Sequence, residues 1–262
     1  MMSINELTLL FFIAHFLADF YFQSGKMANQ KDQVFGEVLK HSILYCLTML
    51  ALSRVLTLLG SHWHLILAGV VISALHLLID ALKFEINIKF EPILQPGSKP
   101  AAALYLADQL LHIAVIIAFI QYGYLGQYNF VLPGFVSRDL IKWALLVLLN
   151  AKPANISFKK LFQKYVPDGI EQEQISLFGP PARPPEPGAG ALIGTIERFL
   201  CIIFISLGQF SAIGLVYTAK SIARFEKIGK DHRFAEYYLI GTLYSILYVL
   251  VCYGLIMRFV SY

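Results

Sequence analysis

At 262 residues, with 57% apolar and 15% charged residues, the chain departs from ordinary water-soluble domains, which run roughly 45–50% apolar and about 25% charged. The net charge of +4 is small, and its Lys and Arg gather between apolar runs. That pattern suits anionic lipid headgroups and excludes nucleic acid as a charge-driven partner. Cys46, Cys201 and Cys252 lie singly in separate apolar runs without CxxC spacing, so packing is expected of them rather than a disulfide framework or a thiolate metal site.

The opening MMSINELTLLFF has no basic n-region and no small-residue cleavage site, so it is expected to stay as the first span, residues 7–22. A bilayer core takes about 20 apolar residues. Further runs of that kind are expected at 41–59, 64–82, 101–122 and 140–151, with a tight turn at Gly60 and Ser61. Lys83, Lys89 and Lys99 punctuate the loop after the third run, and Pro92, Pro96, Gly97 and Pro100 keep it from being helical. Almost no charge follows the fourth run up to Ser137. Basic and bare loops therefore alternate, which by the positive-inside rule puts the N-terminus outside and the Lys26, Lys31, Lys40 loop in the cytoplasm.

From 152 to 190 the composition turns polar, with Lys159, Lys160, Lys164, Glu171 and Glu173, and ends in GPPARPPEPGAG. Proline and glycine at that density predict a non-helical, partly extended linker. It divides the chain into 1–151, 152–190 and 191–262. The last part holds an apolar run at 191–219, a basic amphipathic stretch at 220–233 and a final span at 235–257. A single crossing by 191–219 would leave the basic stretch outside, against the rule, whereas a re-entrant hairpin turning near Gly208 and Gln209 would return it. Both alternatives stand at the level of sequence.

The residues that carry chemistry are paired. His15 and Asp19 in AHFLADFYFQ, His76 and Asp80 in HLLID, and Asp108 and His112 in DQLLH each lie four apart, on one helical face. His41 opens the second run. An unpartnered ionisable group costs several kcal/mol in a membrane, yet antiparallel threading brings all seven to the cytoplasmic end at nearly one depth. A shared site is expected there. Imidazole with carboxylate suits Zn, Mn or Fe(II), as one divalent metal or as two bridged by a carboxylate. Gln23 and Gln109 are candidates to orient the ligands through hydrogen bonds. Lys26 and Lys83 are candidates to attract a phosphate-bearing head group, against a plainer role as snorkelling interface cations. The plainer reading of the whole set is that each Asp pairs with a His or with Lys83 and glues helices together.

In the C-terminal part, buried charges need partners. The expectation is that Glu197 pairs with Lys220 or Arg224, or else Arg198 with Glu236. Gly241, Thr242 and Ser245 form a small-residue face that permits close helix approach.

The strings HFLADFYFQ with a following lysine, the histidine opening the second run, HLLIDALK and DQLLH together resemble the bacterial membrane family catalogued as domain of unknown function 3307, over about residues 1–125. IGTIERFL, TAKSIARF and EYYLIGTLYS resemble the C-terminal extension of its longer members. The resemblance implies a multi-pass protein of the bacterial inner (cytoplasmic) membrane and supports the grouping of the seven residues. It supplies no reaction. The expected fold is all-α, a polytopic integral membrane protein with an N-terminal four-helix transmembrane bundle and a C-terminal helical membrane module. The expected function is a metal-dependent enzyme acting on a lipid or lipid-linked substrate at the cytoplasmic leaflet, with hydrolysis as the favoured reaction. Two other classes compete with it: a proton or divalent-cation carrier or channel, and a membrane scaffold or sensor whose polar linker binds a partner.

Overall fold

The computed structural model describes residues 6–59, 63–121, 136–167 and 188–259, and no strand occurs among them. Helix α1, Glu6–Phe16, runs on into a π turn, Leu17–Phe22. It is followed by α2, Gly25–Gln30, α3, Phe35–Leu58, and α4, His64–Lys89. Then come α5, Lys99–Ile116, which continues through a second π turn, Ile117–Gln121, and α6, Arg138–Asn150. Helices α7, Lys152–Phe162, α8, Ala189–Ser206, α9, Phe210–Ala223, α10, Phe225–Lys230, and α11, His232–Tyr253, complete the order. Phe35–Leu58, His64–Lys89, Lys99–Ile120 and His232–Met257 are long and apolar enough to cross a membrane. The chain is an all-α polytopic membrane protein. It forms two compact units, Met1–Leu149 with Leu255–Tyr262, and Asn150–Gly254.

In the first unit α1 is buried nearly all round: Leu9, Phe11, Phe12, Ala14 and Phe16 all leave solvent. A helix apolar on every side belongs at the centre of a bundle. The other long helices are two-faced. Along α3 the buried positions Val38, His41, Tyr45, Met49, Ser53 and Leu56 recur every three or four residues, while Ile43 and Leu47 on the other face are 61% and 60% exposed. In a membrane that outer face meets lipid. Helices α3 and α4 pack tightly because Gly69 lacks a side chain. A β-carbon there would lie 2.7 Å from Ser53 Oγ and 3.4 Å from the Met49 carbonyl oxygen. Buried hydroxyls are satisfied within their own helices, Ser53 donating to Met49 O and Ser73 to Gly69 O.

Several boundaries differ from the sequence expectation. The third span does not end at 82 but continues two turns to Lys89, so Lys83 and Lys89 are helical, and the Pro and Gly signals act only beyond Phe90. Ser98 then caps α5 by accepting from Ala101 N–H. The run at 140–151 is α6 of 13 residues, about 20 Å long and too short to cross a bilayer core by itself. It ends just ahead of Pro153, which has no N–H to give the Leu149 carbonyl and whose ring would clash with it in a continued helix. Gly60, Ser61 and most of the uncharged segment before Ser137 lie outside the described residues.

In the second unit the polar stretch expected as linker from residue 152 opens with a helix. Its aromatic face gives the reason: Phe158 rings lie 5.5 and 5.4 Å from those of Tyr237 and Tyr244 on α11. A β-carbon on Gly241 would meet Phe158 at 3.2 Å, so the small-residue face of α11 does admit a close neighbour. The GPPARPPE segment, Glu171 and Glu173 lie outside the described residues. The 191–219 run is a helical hairpin, α8 and α9, turning at Gly208 with φ +69°, a backbone value that favours glycine. It therefore returns the basic stretch to the end from which α8 began. Across it Lys220 Nζ pairs with Glu197 Oε2 at 2.7 Å, while Arg224 lies over the Phe234 and Tyr238 rings. Arg198 does not pair with the exposed Glu236. It donates instead to the carbonyls of Asn150 and Ala151, just before α7 starts, and to Asn155 Oδ1.

Candidate functional site

Each long helix of the first unit carries its polar residues on the face turned to its neighbours. His41 and Tyr45 extend the buried stripe of α3 to its first turns. His76 and Asp80 continue the stripe of Leu65, Ala68, Ile72 and Ser73 on α4, and Asp108 and His112 lie between Tyr105 and Ile116 on α5. Asp19 sits in the π turn after α1, a local rewinding of the kind found at functional sites. All seven side chains are buried, and they converge.

The centre of the cluster is His41 Nε2. It lies 3.1 Å from Asp19 Oδ1, 3.1 Å from His76 Nε2 and 3.5 Å from Asp80 Oδ2. His76 Nε2 is 3.4 Å from the same Asp80 oxygen. Two sets of donor atoms, Asp19 with His41 and His76, and His76 with Asp80 and His112, each fall within 4.8 Å of one another. Asp108 Oδ1 approaches His112 Nδ1 at 3.8 Å. His15 joins through its ring, 5.6 Å from His112 centroid to centroid, and shares a hydrogen bond of 3.1 Å with Tyr45 Oη. The partners of His15 and Asp19 lie on other helices, Tyr45 for the first and His41 and Gln109 for the second.

Several atoms in the cluster have no hydrogen-bond partner: His15 Nε2, His41 Nδ1, His76 Nδ1, Asp80 Oδ2, Asp108 Oδ1 and both nitrogens of His112. Each such buried atom costs about 1–3 kcal/mol if left bare, so the arrangement is one that an ion or water completes. Around it the remaining polar groups set charge and orientation. Gln109 donates from Nε2 toward Asp19 Oδ2 at 3.3 Å and Asp108 Oδ2 at 3.2 Å, tying the first and last helices of the cluster together. Lys83 Nζ donates to Asp108 Oδ2 at 2.8 Å. Lys31 Nζ faces Asp19 Oδ1 at 3.8 Å. Burial alone would pull the Lys31 ammonium down, but Asp80, Asp19 and Asp108 outweigh it and hold it above the ordinary lysine range.

Gln109 and Lys83 thus sit where the sequence pointed. Lys26 does not: it is exposed at the start of α2, and Lys31 occupies the place expected of it. Gln23 is half-buried with its Oε1 unbonded, and it makes no described contact with the cluster. Sequence reasoning missed Tyr45, whose ring stacks on His76 at 3.6 Å and 7°. Its signal was present, since it follows His41 at the same spacing of four. Glu197, Arg198, Lys220, Arg224 and Glu236 belong to the second unit and its separate polar network.

Residues 7–133 match the sequence model of the family described as "Protein of unknown function (DUF3307)". No curated protein and no solved structure matches the chain. The matched part, residues 7–133, contains every histidine and aspartate of the cluster, and over that part the chain is similar to the DUF3307 family.

Proposed function

We propose that the cluster is a divalent-metal centre and that the protein is a metal-dependent enzyme, hydrolysing a lipid or lipid-linked substrate at the cytoplasmic leaflet of the bacterial inner membrane. One observation carries the metal. Ligands about 2.0–2.1 Å from a tetrahedral ion lie about 3.3–3.4 Å from one another; His41 Nε2 lies 3.1 Å from both His76 Nε2 and Asp19 Oδ1 and 3.5 Å from Asp80 Oδ2, and His76 Nε2 lies 3.4 Å from that Asp80 oxygen. Direct hydrogen bonding explains those distances less well, because two imidazole nitrogens and two carboxylates crowd one point with Asp80 Oδ2 left unbonded. Imidazole with carboxylate favours Zn, Mn or Fe(II) over Ca and Mg.

A bound ion of this kind polarises a substrate oxygen and lowers the pKa of a coordinated water. The protein's own groups supply the rest: Gln109 and Tyr45 hold ligand orientation, and Lys31 and Lys83 offset the excess of carboxylate. The test is elemental analysis of protein purified in detergent without chelator. The expected result is Zn, Mn or Fe at about one equivalent per chain or more, lost in Asp80→Ala and His41→Ala. Folded wild-type protein that takes up none of the three would overturn the metal and the enzyme together.

A second reading, a carrier for protons or divalent cations, draws on the line of imidazoles. His41, His76, His112 and His15 follow one another with ring centroids 5.2, 4.1 and 5.6 Å apart, a spacing suited to relay along buried groups. Flux into liposomes that disappears in Asp19→Asn and Asp108→Asn favours it. Flux unchanged in both variants removes it.

A further inference from the structure

Beside the cluster lies a recess lined by Lys31, Asp32, Val38, Asp80, Lys83 and Phe84. Asp80 belongs to both, so the recess opens directly onto the proposed metal donors. Its character differs from theirs, because two ammonium groups line it. The Lys31 and Lys83 side chains are 15% and 16% exposed, so both are largely withdrawn from water. Lys83 spends a donor on Asp108. Lys31 does not: its approach to Asp19 at 3.8 Å is too long for a hydrogen bond, and among the described residues its ammonium makes none.

The charge balance sharpens the point. Asp19, Asp32, Asp80 and Asp108 against Lys31 and Lys83 leave two negative charges in excess when the imidazoles are neutral. A divalent ion cancels that excess, and it draws on Asp19 and Asp80, the carboxylates that hold Lys31 in place. Lys31 is then a cation beside a cation, with donors to give. Asp32 and Asp80 are the lining groups that repel an anion; Asp32 Oδ1 accepts a hydrogen bond from Asn87, and Asp80 is one of the proposed metal donors. The rest of the lining is apolar, with Val38 and with Phe84 in ring contact with the exposed Phe35 at 5.4 Å. The recess therefore offers both charge and hydrocarbon.

We infer that this recess binds a phosphate-bearing anion, clamped by Lys31 and Lys83 next to the metal donors, so that the substrate class of the site is a phosphate ester. This rests on the metal reading. Lysine supplies point charge and three donors to such a group without demanding a fixed fork geometry. The same chemistry serves a lipid headgroup or a soluble phosphate, and the apolar lining suits the first.

The test is phosphorus NMR relaxation on the full chain in detergent micelles, loaded with paramagnetic manganese and compared with zinc-loaded protein. The probes are inorganic phosphate and a short-chain phosphatidic acid. Wild type is expected to broaden a probe's phosphorus line when manganese replaces zinc. Lys31→Gln is expected to weaken binding by about tenfold or more, the scale of one charge-assisted hydrogen bond, with manganese content unchanged, and Lys31→Arg to restore most of it. Broadening of phosphatidic acid identifies a lipid headgroup, and broadening of inorganic phosphate alone identifies a soluble ester. Manganese-loaded wild type without broadening of either probe would overturn this inference and leave the metal reading intact, as would Lys31→Gln binding like wild type. Protein that retains no manganese would remove both.

Discussion

The Lys83–Asp108 pair tests whether the cluster is held by compensating charge. Asp108 is buried, its side chain 3% exposed, and Lys83 Nζ lies 2.8 Å from its Oδ2. Lys83→Met takes away the cation and leaves a carboxylate in the bundle. Breaking a fully buried pair costs about 3–5 kcal/mol. Here Lys83 is 16% exposed and Gln109 still donates to the same oxygen, which brings the expectation to about 2–3 kcal/mol, or about 30- to 150-fold in the folded-to-unfolded ratio. Asp108→Asn alone should cost less, about 1 kcal/mol, since the stranded lysine reaches water. The double variant removes both charges and should be more stable than the sum of the singles implies, by about 1.5 kcal/mol or more. Denaturant unfolding in detergent at matched metal content measures all four corners of the cycle. Single effects that add to within about 0.5 kcal/mol would show that the two charges are not coupled, and the electrostatic account would fail.

Other substitutions probe other links. Gly69→Ala places a β-carbon 2.7 Å from Ser53 Oγ, so it should cost about 1–3 kcal/mol by overpacking, and Ser53→Ala in the same chain should recover much of that. Equal melting of Gly69→Ala and wild type would refute the close α3–α4 approach. Tyr45→Phe keeps the stack on His76 and loses the hydrogen bond to His15. A loss of about 1 kcal/mol is expected on unfolding, with metal content retained, and loss of metal would mean that Tyr45 is itself a ligand. Gln109→Leu unties Asp19 from Asp108, which should weaken metal binding by about 10- to 100-fold in a chelator competition. Unchanged affinity would remove its orienting role. Lys220→Met strands the buried Glu197 in the second unit, so it should lower the melting temperature without changing metal content. A change in metal content would contradict the separation of the two polar networks.

What the sequence by itself determined were the features written in local periodicity. Apolar run length marked the spans, and spacing by four marked the paired His and Asp residues, because side chains four apart share a helical face. Alternating loop charge then placed those pairs at one end of the bundle, where the cluster lies. The α8–α9 turn that Gly208 makes was one of two readings that the sequence left open. Helix ends were less legible: Lys83 and Lys89 belong to α4, since nothing in the next residues breaks a helix until the proline-rich turn after Phe90. Only the tertiary structure decided which groups touch. Lys31 sits outside any periodic run, and its place beside Asp19 depends on how the chain turns through α2. Arg198 had a carboxylate expected for it and bonds backbone carbonyls instead, because α7 starts where a linker was expected. Local pattern tells which face of each helix must be hidden. The partner that hides it is chosen by long-range packing, which no short window of residues contains.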